Sequence, residues 1–317
     1  MLHWGVLGLG NISGRFMKSL EYSEEGKLYA VSSYTKEKRE KFAREHENVK
    51  IYDNYTQLLE DKDVDVVYIA LRHQDHYQWA KQALLNNKAV LCEKPATLTY
   101  AQTKELCDIA KKKHTFFMEA MKSRFIPMVN ELKKSVAEGV IGDITRIETS
   151  FCSDVPYNEK SYLFDKHQGG ALYDVSIYNI ATILDFIKSN VKSIDVQWKK
   201  DYNVDVYDYV EVTFESGQTA LIECAIDRQK DKAMTIYGTK GKIVAEPFYR
   251  PTKAVVYFND GESYTGEMPY VHDDFYGEID ATHQGIAYIK VESERMSHQD
   301  SLDCIKLMEM IKEKFHG

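Results

Sequence analysis

Short stretches of this chain carry side chains whose types and spacing could do chemistry, and the most compact is Ala89-Val-Leu-Cys-Glu-Lys-Pro95. The run from Ala89 to Leu91 reads as a buried strand that stops at Glu93, Lys94 and Pro95. Such a strand delivers a lysine to the carboxyl edge of a sheet, where open α/β folds bind ligands. Pro95 fixes its own φ and biases Lys94 toward an extended conformation, so the backbone sets the position of the ammonium. The alternative is a strand end with a solvated ion pair. A second stretch, Gly8-Leu-Gly10-Asn11-Ile12-Ser13-Gly14, has the spacing of a dinucleotide turn. Gly8 permits a tight turn and Gly10 lets backbone approach a pyrophosphate, which the N–H groups of the helix opening at Asn11 and Ile12 attract. Ser13 stands where the third glycine is usual, with Gly14 one place late; a small residue still allows close helix packing. In a third stretch Asp174 and Tyr178 lie four apart within the apolar run Gly169 to Leu184, so they share one face of a predicted helix. Unpaired buried polar groups are costly, so this acid and phenol either satisfy each other and the backbone or face a site.

The elements that position these groups follow from hydrophobic pattern. Trp4 to Leu7 is a short apolar strand that runs into the glycine turn, and Phe16, Met17 and Leu20 mark one side of the helix after it. The next strand, Leu28 to Ser33, ends in Tyr34-Thr35-Lys36-Glu37-Lys38-Arg39. A site for NAD usually places an acid near this strand end to bind the ribose 2′-hydroxyl. Here the hydroxyls of Ser33 and Thr35 and the cations Lys36 and Lys38 suit a 2′-phosphate, and Tyr34 offers a ring to stack on adenine. NADP is therefore expected over NAD; the competing account of the lysines is a charged first helical turn, which Glu37 fits.

Val64 to Ala70 is another buried strand, followed by Leu71-Arg-His73-Gln-Asp-His76. Two histidines three apart could bind a metal, but no third ligand of suitable type lies nearby, so none is expected. His76 is expected to cap or orient this loop, whose backbone from Leu71 lies against a cofactor; His73 joins it or is a plain surface histidine. Thr99 and Gln102 form a capping-box pattern before a helix with Leu106, Ile109 and Ala110, and Thr115 to Glu119 is a strand. Alternating strands and helices from residue 3 to about 120 predict a parallel, doubly wound sheet.

From Met121 the pattern changes. A helix carrying Ile126, Val129, Leu132 and Val136 leads to a strand over 144–151, a polar loop to Gln168 and the apolar helix with Asp174 and Tyr178. Strands are predicted at 191–198, 207–214, 219–227, 232–237, 241–246 and 253–258, with turns such as Glu215-Ser-Gly217 and Asp260-Gly261 that imply an antiparallel sheet. Ser297 and Asp300 cap a final helix from Leu302 to Phe315. The expected fold is α/β: a dinucleotide-binding domain over 1–120, and over 121–317 a substrate-binding α/β domain with a large, mostly antiparallel open sheet. The final helix, over 297–316, is a candidate to pack back on the first domain.

Composition bounds the function. At 317 residues two domains are the natural expectation, and 44% apolar with 28% charged residues is ordinary for a soluble protein. No apolar run approaches the ~18 to 20 residues that span a bilayer, and the N-terminus lacks the regions of a signal peptide, so no membrane association and a cytoplasmic location are expected. A net charge of -8 gives no footprint for nucleic acid, and Lys111 to Lys113 suit the end of a helix dipole. Five scattered cysteines without CxxC pairs read as reduced thiols.

Taken together, the glycine turn at 8–14, His73-x-x-His76, Glu93-Lys94-Pro95 and the Gly169-Gly170 helix with Asp174 and Tyr178 resemble the Gfo/Idh/MocA oxidoreductases. Ala89 to Pro95, Phe117-Met-Glu-Ala120 and Arg124-Phe125 look like the branch containing dimeric dihydrodiol dehydrogenase and NADP-dependent D-xylose dehydrogenase. The resemblance implies a Rossmann domain, then an α/β domain whose open sheet often forms the subunit interface of a homodimer or homotetramer, with substrate between the domains. It adds Glu93 and Arg124 to the expected cofactor contacts. Tyr34 stands where NADP-using relatives commonly have arginine, and Leu163 near a position often occupied by arginine.

The activity so implied is reversible hydride transfer between nicotinamide and a hydroxyl-bearing carbon of a sugar, polyol or cyclic trans-diol. The cofactor supplies the hydride chemistry and the protein manages one proton. Tyr178 is assigned that proton, as base in oxidation and acid in reduction. A phenol's pKa of about 10 falls toward the working range beside an ammonium and the nicotinium charge. Lys94 is that ammonium and also stabilises negative charge on the substrate oxygen. Asp174 holds substrate hydroxyls or orients Lys94. Phe151, Tyr157, Tyr162 and Phe164 are candidates to line a pocket for a ring. The rival functions are a dinucleotide-binding regulator without turnover and an NAD-dependent glycosidase, both found on this fold.

Overall fold

The structure is a computed structural model that describes residues 1–315, so residue 316 of the expected final helix lies outside the described residues. The chain divides into two units, one of Met1–Met121 with Val271–Leu302 and one of Lys122–Tyr270 with the residues from Asp303 onward.

In the first unit, strands β1 (Leu2–Leu7), β2 (Gly26–Ser32), β3 (Lys50–Tyr52), β4 (Val66–Ile69), β5 (Ala89–Glu93) and β6 (Phe117–Ala120) form one sheet. Their order is β3-β2-β1-β4-β5-β6 and every neighbouring pair is parallel. All four residues of β4 and all five of β5 are buried, as a sheet covered on both faces requires. Helices α1 (Asn11–Leu20), α2 (Lys36–Glu45), α3 (Tyr55–Glu60), α4 (His73–Leu85) and α5 (Tyr100–Lys113) connect the strands. Leu7, Leu58, Val67, Ile69, Leu84, Val90, Leu106 and Phe117 share one core. The Thr99 hydroxyl accepts the Gln102 N–H at 3.3 Å, and the Gln102 side chain accepts the N–H of Leu98 rather than that of Thr99.

The late segment of this unit holds a helix the sequence pattern did not mark, α8 (Tyr276–Ala287). Its buried face is largely polar, with Glu278, Thr282 and His283 beside Ile279, which hides the apolar periodicity. It is tied down by polar contacts: the Trp4 indole donates to His283 at 2.9 Å, Ser19 donates to Asp273 at 2.7 Å, and Arg15 pairs with Asp274 at 2.6 Å.

The second unit starts with a 3-10 turn (Lys122–Phe125) and α6 (Pro127–Ala137). Its sheet comprises β7 (Ile144–Cys152), β8 (Val191–Asp201), β9 (Val204–Phe214), β10 (Thr219–Ala225), β11 (Met234–Gly238), β12 (Gly241–Ala245), β13 (Lys253–Phe258) and β14 (Ser263–Glu267). The order is β14-β13-β12-β11-β7-β10-β9-β8; β7 and β10 are parallel and the other pairs antiparallel. The edge strand β14 escaped the sequence reading because it is polar and mostly exposed. Helix α7 (Ile177–Phe186) packs on β7 and β10. The last helix, α9 (His298–Lys312), begins four residues before the predicted Leu302, since Ser297 and Asp300 bond reciprocally at its very start. All five cysteines are free and buried. Among the described residues no helix is long and apolar enough to cross a membrane.

Candidate active site

Parallel strands put every carboxyl end of the first sheet on one edge, and the strand order reverses between β1 and β4, the place where doubly wound sheets open a crevice. Gly8 leaves β1 with φ +97°, its N–H bonded to Ser32 O at 2.9 Å. A Cβ there would lie 2.4 Å from Ala70 O, so the turn demands glycine. A Cβ on Gly10 would meet nothing within 4 Å, which leaves room beside the helix N-terminus for a ligand. Ser13 does more than save space: its hydroxyl accepts the Gly10 N–H at 2.9 Å and donates to Gly10 O at 2.8 Å. The first turn of α1, from Asn11 and Ile12, has no acid to compete with an anion.

At the end of β2, Ser33 is buried and accepts the N–H of Thr35 at 3.2 Å. Tyr34 is 60% exposed, with its ring 4.5 Å from that of Tyr55. Lys38 shares a cleft of about 710 Å³ with Gly10, Asn11, Lys18 and Lys41. Lys36 does not line this cleft and lies 3.6 Å from Glu40 on the surface. Arg39 is the cation that sequence reasoning passed over. Its guanidinium donates to Ser33 O at 2.6 Å and pairs with Asp53 at 2.9 Å. Its place one turn into α2 was the available signal. These cations and the open glycine turn fit a dinucleotide carrying a 2′-phosphate.

The loop after β4 and the loop after β5 are locked together. His76 is buried, with Nδ1 2.8 Å from Pro95 O and Nε2 3.2 Å from Leu71 O; burial lowers its pKa to about 4, so it is neutral at pH 7. His73 opens α4 and is also buried, 5.9 Å from the His76 ring, so it is no surface histidine. Glu93 is buried and accepts the Tyr68 hydroxyl at 2.5 Å, and Tyr68 in turn stacks on Phe16. The Glu119 carboxylate accepts the Ala96 N–H at 2.9 Å. Half-buried Lys94, joined to Pro95 by a cis peptide, thus sits on backbone held on three sides. No group of three His, Cys, Asp or Glu placed to hold a metal occurs among the described residues.

In the second unit the Gly169-Gly170 corner leads into a π turn (Leu172–Ser176) that continues as α7. Asp174 and Tyr178 lie on this continuous helix; Tyr178 is buried and Asp174 half-buried. Asp174 accepts the Tyr162 hydroxyl at 2.9 Å. The Tyr178 ring lies against Phe151 at 5.8 Å and Tyr249 at 5.6 Å. Of the other aromatic candidates, Tyr157 and Phe164 form a separate cluster with Tyr202. Arg124 is buried and donates to Ala181 O of α7 at 3.0 Å, while Asp185, bonded to Lys133, lies 4.0 Å from its guanidinium. Tyr249 was missed because nothing local distinguishes it from the other tyrosines.

Comparison with known proteins gives a consistent family. Residues 2–121 match the model described as oxidoreductase family, NAD-binding Rossmann fold, and residues 129–244 match the GFO/IDH/MocA C-terminal domain. The chain is 30% identical over 260 residues to trans-1,2-dihydrobenzene-1,2-diol dehydrogenase of Bos taurus, covering 80% of this chain and 77% of that protein. It is 30% identical over 280 residues to the Homo sapiens enzyme of the same name, covering 86% and 82%. Among solved structures it resembles KijD10, a 3-ketoreductase from Actinomadura kijaniata in complex with NADP and TDP-benzene, with TM-score 0.89, 24% identity and coverage of 98% and 97%. The aldose-aldose oxidoreductase from Caulobacter crescentus, complexed with glycerol, aligns with TM-score 0.89, 22% identity and coverage of 98% and 96%.

Proposed function

The chain belongs to the Gfo/Idh/MocA oxidoreductase family, and from that premise we propose that it uses NADP to interconvert a hydroxyl-bearing carbon and its carbonyl on a sugar, polyol or cyclic trans-diol. The bound nicotinamide supplies or accepts the hydride. Gly8, Gly10, Asn11 and Ile12 present backbone to the pyrophosphate. Ser33, Thr35, Lys38 and Arg39 would hold the 2′-phosphate, and Tyr34 would offer its ring to adenine. Leu71, His73, His76, Glu93 and Arg124 complete or support the cofactor's surroundings. The Lys94 ammonium hydrogen-bonds the substrate oxygen and stabilises the negative charge that develops there. The Tyr178 phenolate takes the proton in oxidation, and the phenol so formed returns it in reduction. Asp174, steadied by Tyr162, accepts hydrogen bonds from neighbouring substrate hydroxyls.

The observation that carries this reading is the Glu93-Lys94-Pro95 loop, anchored by Tyr68, His76 and Glu119 on the same sheet edge as the glycine turn. A lysine held so firmly is suited to chemistry that requires fixed geometry. The names of the curated relatives support a diol or sugar-like substrate. The face of the second sheet that bears half-buried Tyr207, Tyr209, Leu221 and Tyr237 supports assembly into a homodimer or homotetramer, which light scattering measures directly. For the activity, nicotinamide absorbance is followed while protein with NADP⁺ meets aldoses, inositols and trans-cyclic diols. Turnover is expected with at least one class and should fall at least about 10²-fold in Tyr178→Phe. Protein that binds NADPH yet is silent across the panel would overturn the reading.

A further inference from the structure

The helix that carries Asp174 and Tyr178 begins without a local cap: Ala171, just before its first turn, has no side chain able to accept a backbone N–H. Asp205 of β9, distant in sequence, takes that place. Its carboxylate accepts the Leu172 N–H at 2.7 Å. A Cβ on Gly170, whose φ is +98°, would lie 2.0 Å from the other Asp205 oxygen, so the glycine is what lets the carboxylate in.

A β-bulge makes this reach possible. Lys199 of β8 pairs with Tyr207, but the next residue, Lys200, pairs with Asp205, so β9 carries Val206 as an extra residue. Residues three apart on a regular strand point to opposite faces; the bulge between them brings the Asp205 and Asp208 carboxyls close enough to perturb each other's ionisation. Asp208 is fully buried, with the Cys224 thiol 3.4 Å from its carboxyl. Two carboxyls in contact resist joint ionisation. Desolvation and the neighbouring carboxylate push Asp208 well above the usual carboxylate range, while desolvation brings Asp205 only to about 6, so of the two Asp205 is the readier to carry the charge. Lys312, whose ammonium is 2.8 Å from the Tyr173 hydroxyl, favours that charge.

We propose that Asp205, braced by Asp208, is a positioning residue for the reaction, because its carboxylate holds the first turn of the helix that presents Asp174 and Tyr178. The catalytic half of this proposal rests on the dehydrogenase reading; the capping half does not. Asp205→Ala and Asp205→Asn are compared with wild type by hydrogen exchange of peptides covering 171–178, by thermal melting, and by kcat and KM. In Asp205→Ala, exchange over 171–178 should quicken at least tenfold, and kcat should fall at least tenfold with KM for NADP⁺ unchanged. Asp205→Asn, whose amide oxygen can still accept the Leu172 N–H, should restore slow exchange and most of kcat without lowering the melting temperature. If Asp205→Ala does not fold, Asp205→Ser, too short to reach that N–H, serves in its place. Wild-type exchange and kcat in a folded capless variant would overturn the proposal, as would a loss that asparagine fails to rescue. A wild type without turnover sinks the dehydrogenase reading alone, and the exchange comparison still decides the cap.

Discussion

The loop that carries Lys94 and the helix that carries Tyr178 are each fixed by bonds from elsewhere in their own unit, but the bonds differ in kind. The loop ends a buried strand, and its anchors come from strands β4 and β6 and helix α4 of the same parallel sheet. One of them is a histidine that must stay neutral. The helix depends on a carboxylate brought in by a strand bulge and on an aromatic cushion of Phe151 and Tyr249. One arrangement follows from where a strand stops, the other from side chains that meet only after the sheet has formed. Acid therefore acts on them with opposite sign.

The largest effect tests whether both regions are catalytic at all. In Lys94→Ala, kcat should fall about 10³-fold, the size of losing a stabiliser of developing charge. Tyr178→Phe should cost about 10²- to 10⁴-fold, the range for losing a general acid or base. Near-wild-type turnover in Tyr178→Phe beside a dead Lys94→Ala would assign the proton to the ammonium and leave the helix as scaffold.

Next in size is the acid response. For His76 the folded pKa is depressed from 6.5 to about 4 by burial, so the unfolded chain binds the extra proton between those values. Its contribution, about 3 kcal/mol at ~1.4 kcal/mol per unit, is complete above pH 6.5 and is lost as pH falls toward 4. Asp205 is raised, so its contribution is present below its unfolded value of 3.8 and is lost as pH rises through about 6. Hydrogen exchange at pH 5 against pH 7.5 should therefore loosen peptides covering 89–96 and spare those covering 171–178. His76→Gln should remove most of the difference in the first. Equal loosening in both would erase the contrast.

Smaller again is Gly170→Ala, expected to cost about 2 kcal/mol or more in urea unfolding through its positive φ and the crowding of Asp205. Smallest is Gly14→Ala on α1, where a Cβ meets nothing within 4 Å; it should stabilise by about 0.5 to 1 kcal/mol in the same assay. A destabilising Gly14→Ala would mean that the glycine turn is held as tightly as the second corner.

The same contrast explains what the sequence made legible. The glycine turn, the end of β5, most strands of both sheets, the Thr99 cap and the capping box at Ser297 rest on neighbours in sequence, and pattern alone located them. The Asp174 and Tyr178 pair was visible as polar residues in an apolar helix. Asp205, Glu119, Arg39 and Tyr249 were not, because each acts through a partner brought close only by folding. Helix α8 and strand β14 escaped for a related reason: a polar buried face and a solvated edge carry no apolar period.

The discontinuity of the first unit bears on how the protein is made. Trp4, in the first strand, finds its hydrogen-bond partner in His283, and Ser19 finds its own in Asp273. A ribosome releases the sheet long before it releases these partners. The amino-terminal sheet must therefore wait, with the Trp4 indole uncapped, until His283 has emerged. A fragment ending at residue 121 would inherit that unfinished state permanently, so a graft of the nucleotide-binding half into another protein must carry residues 271–302 with it.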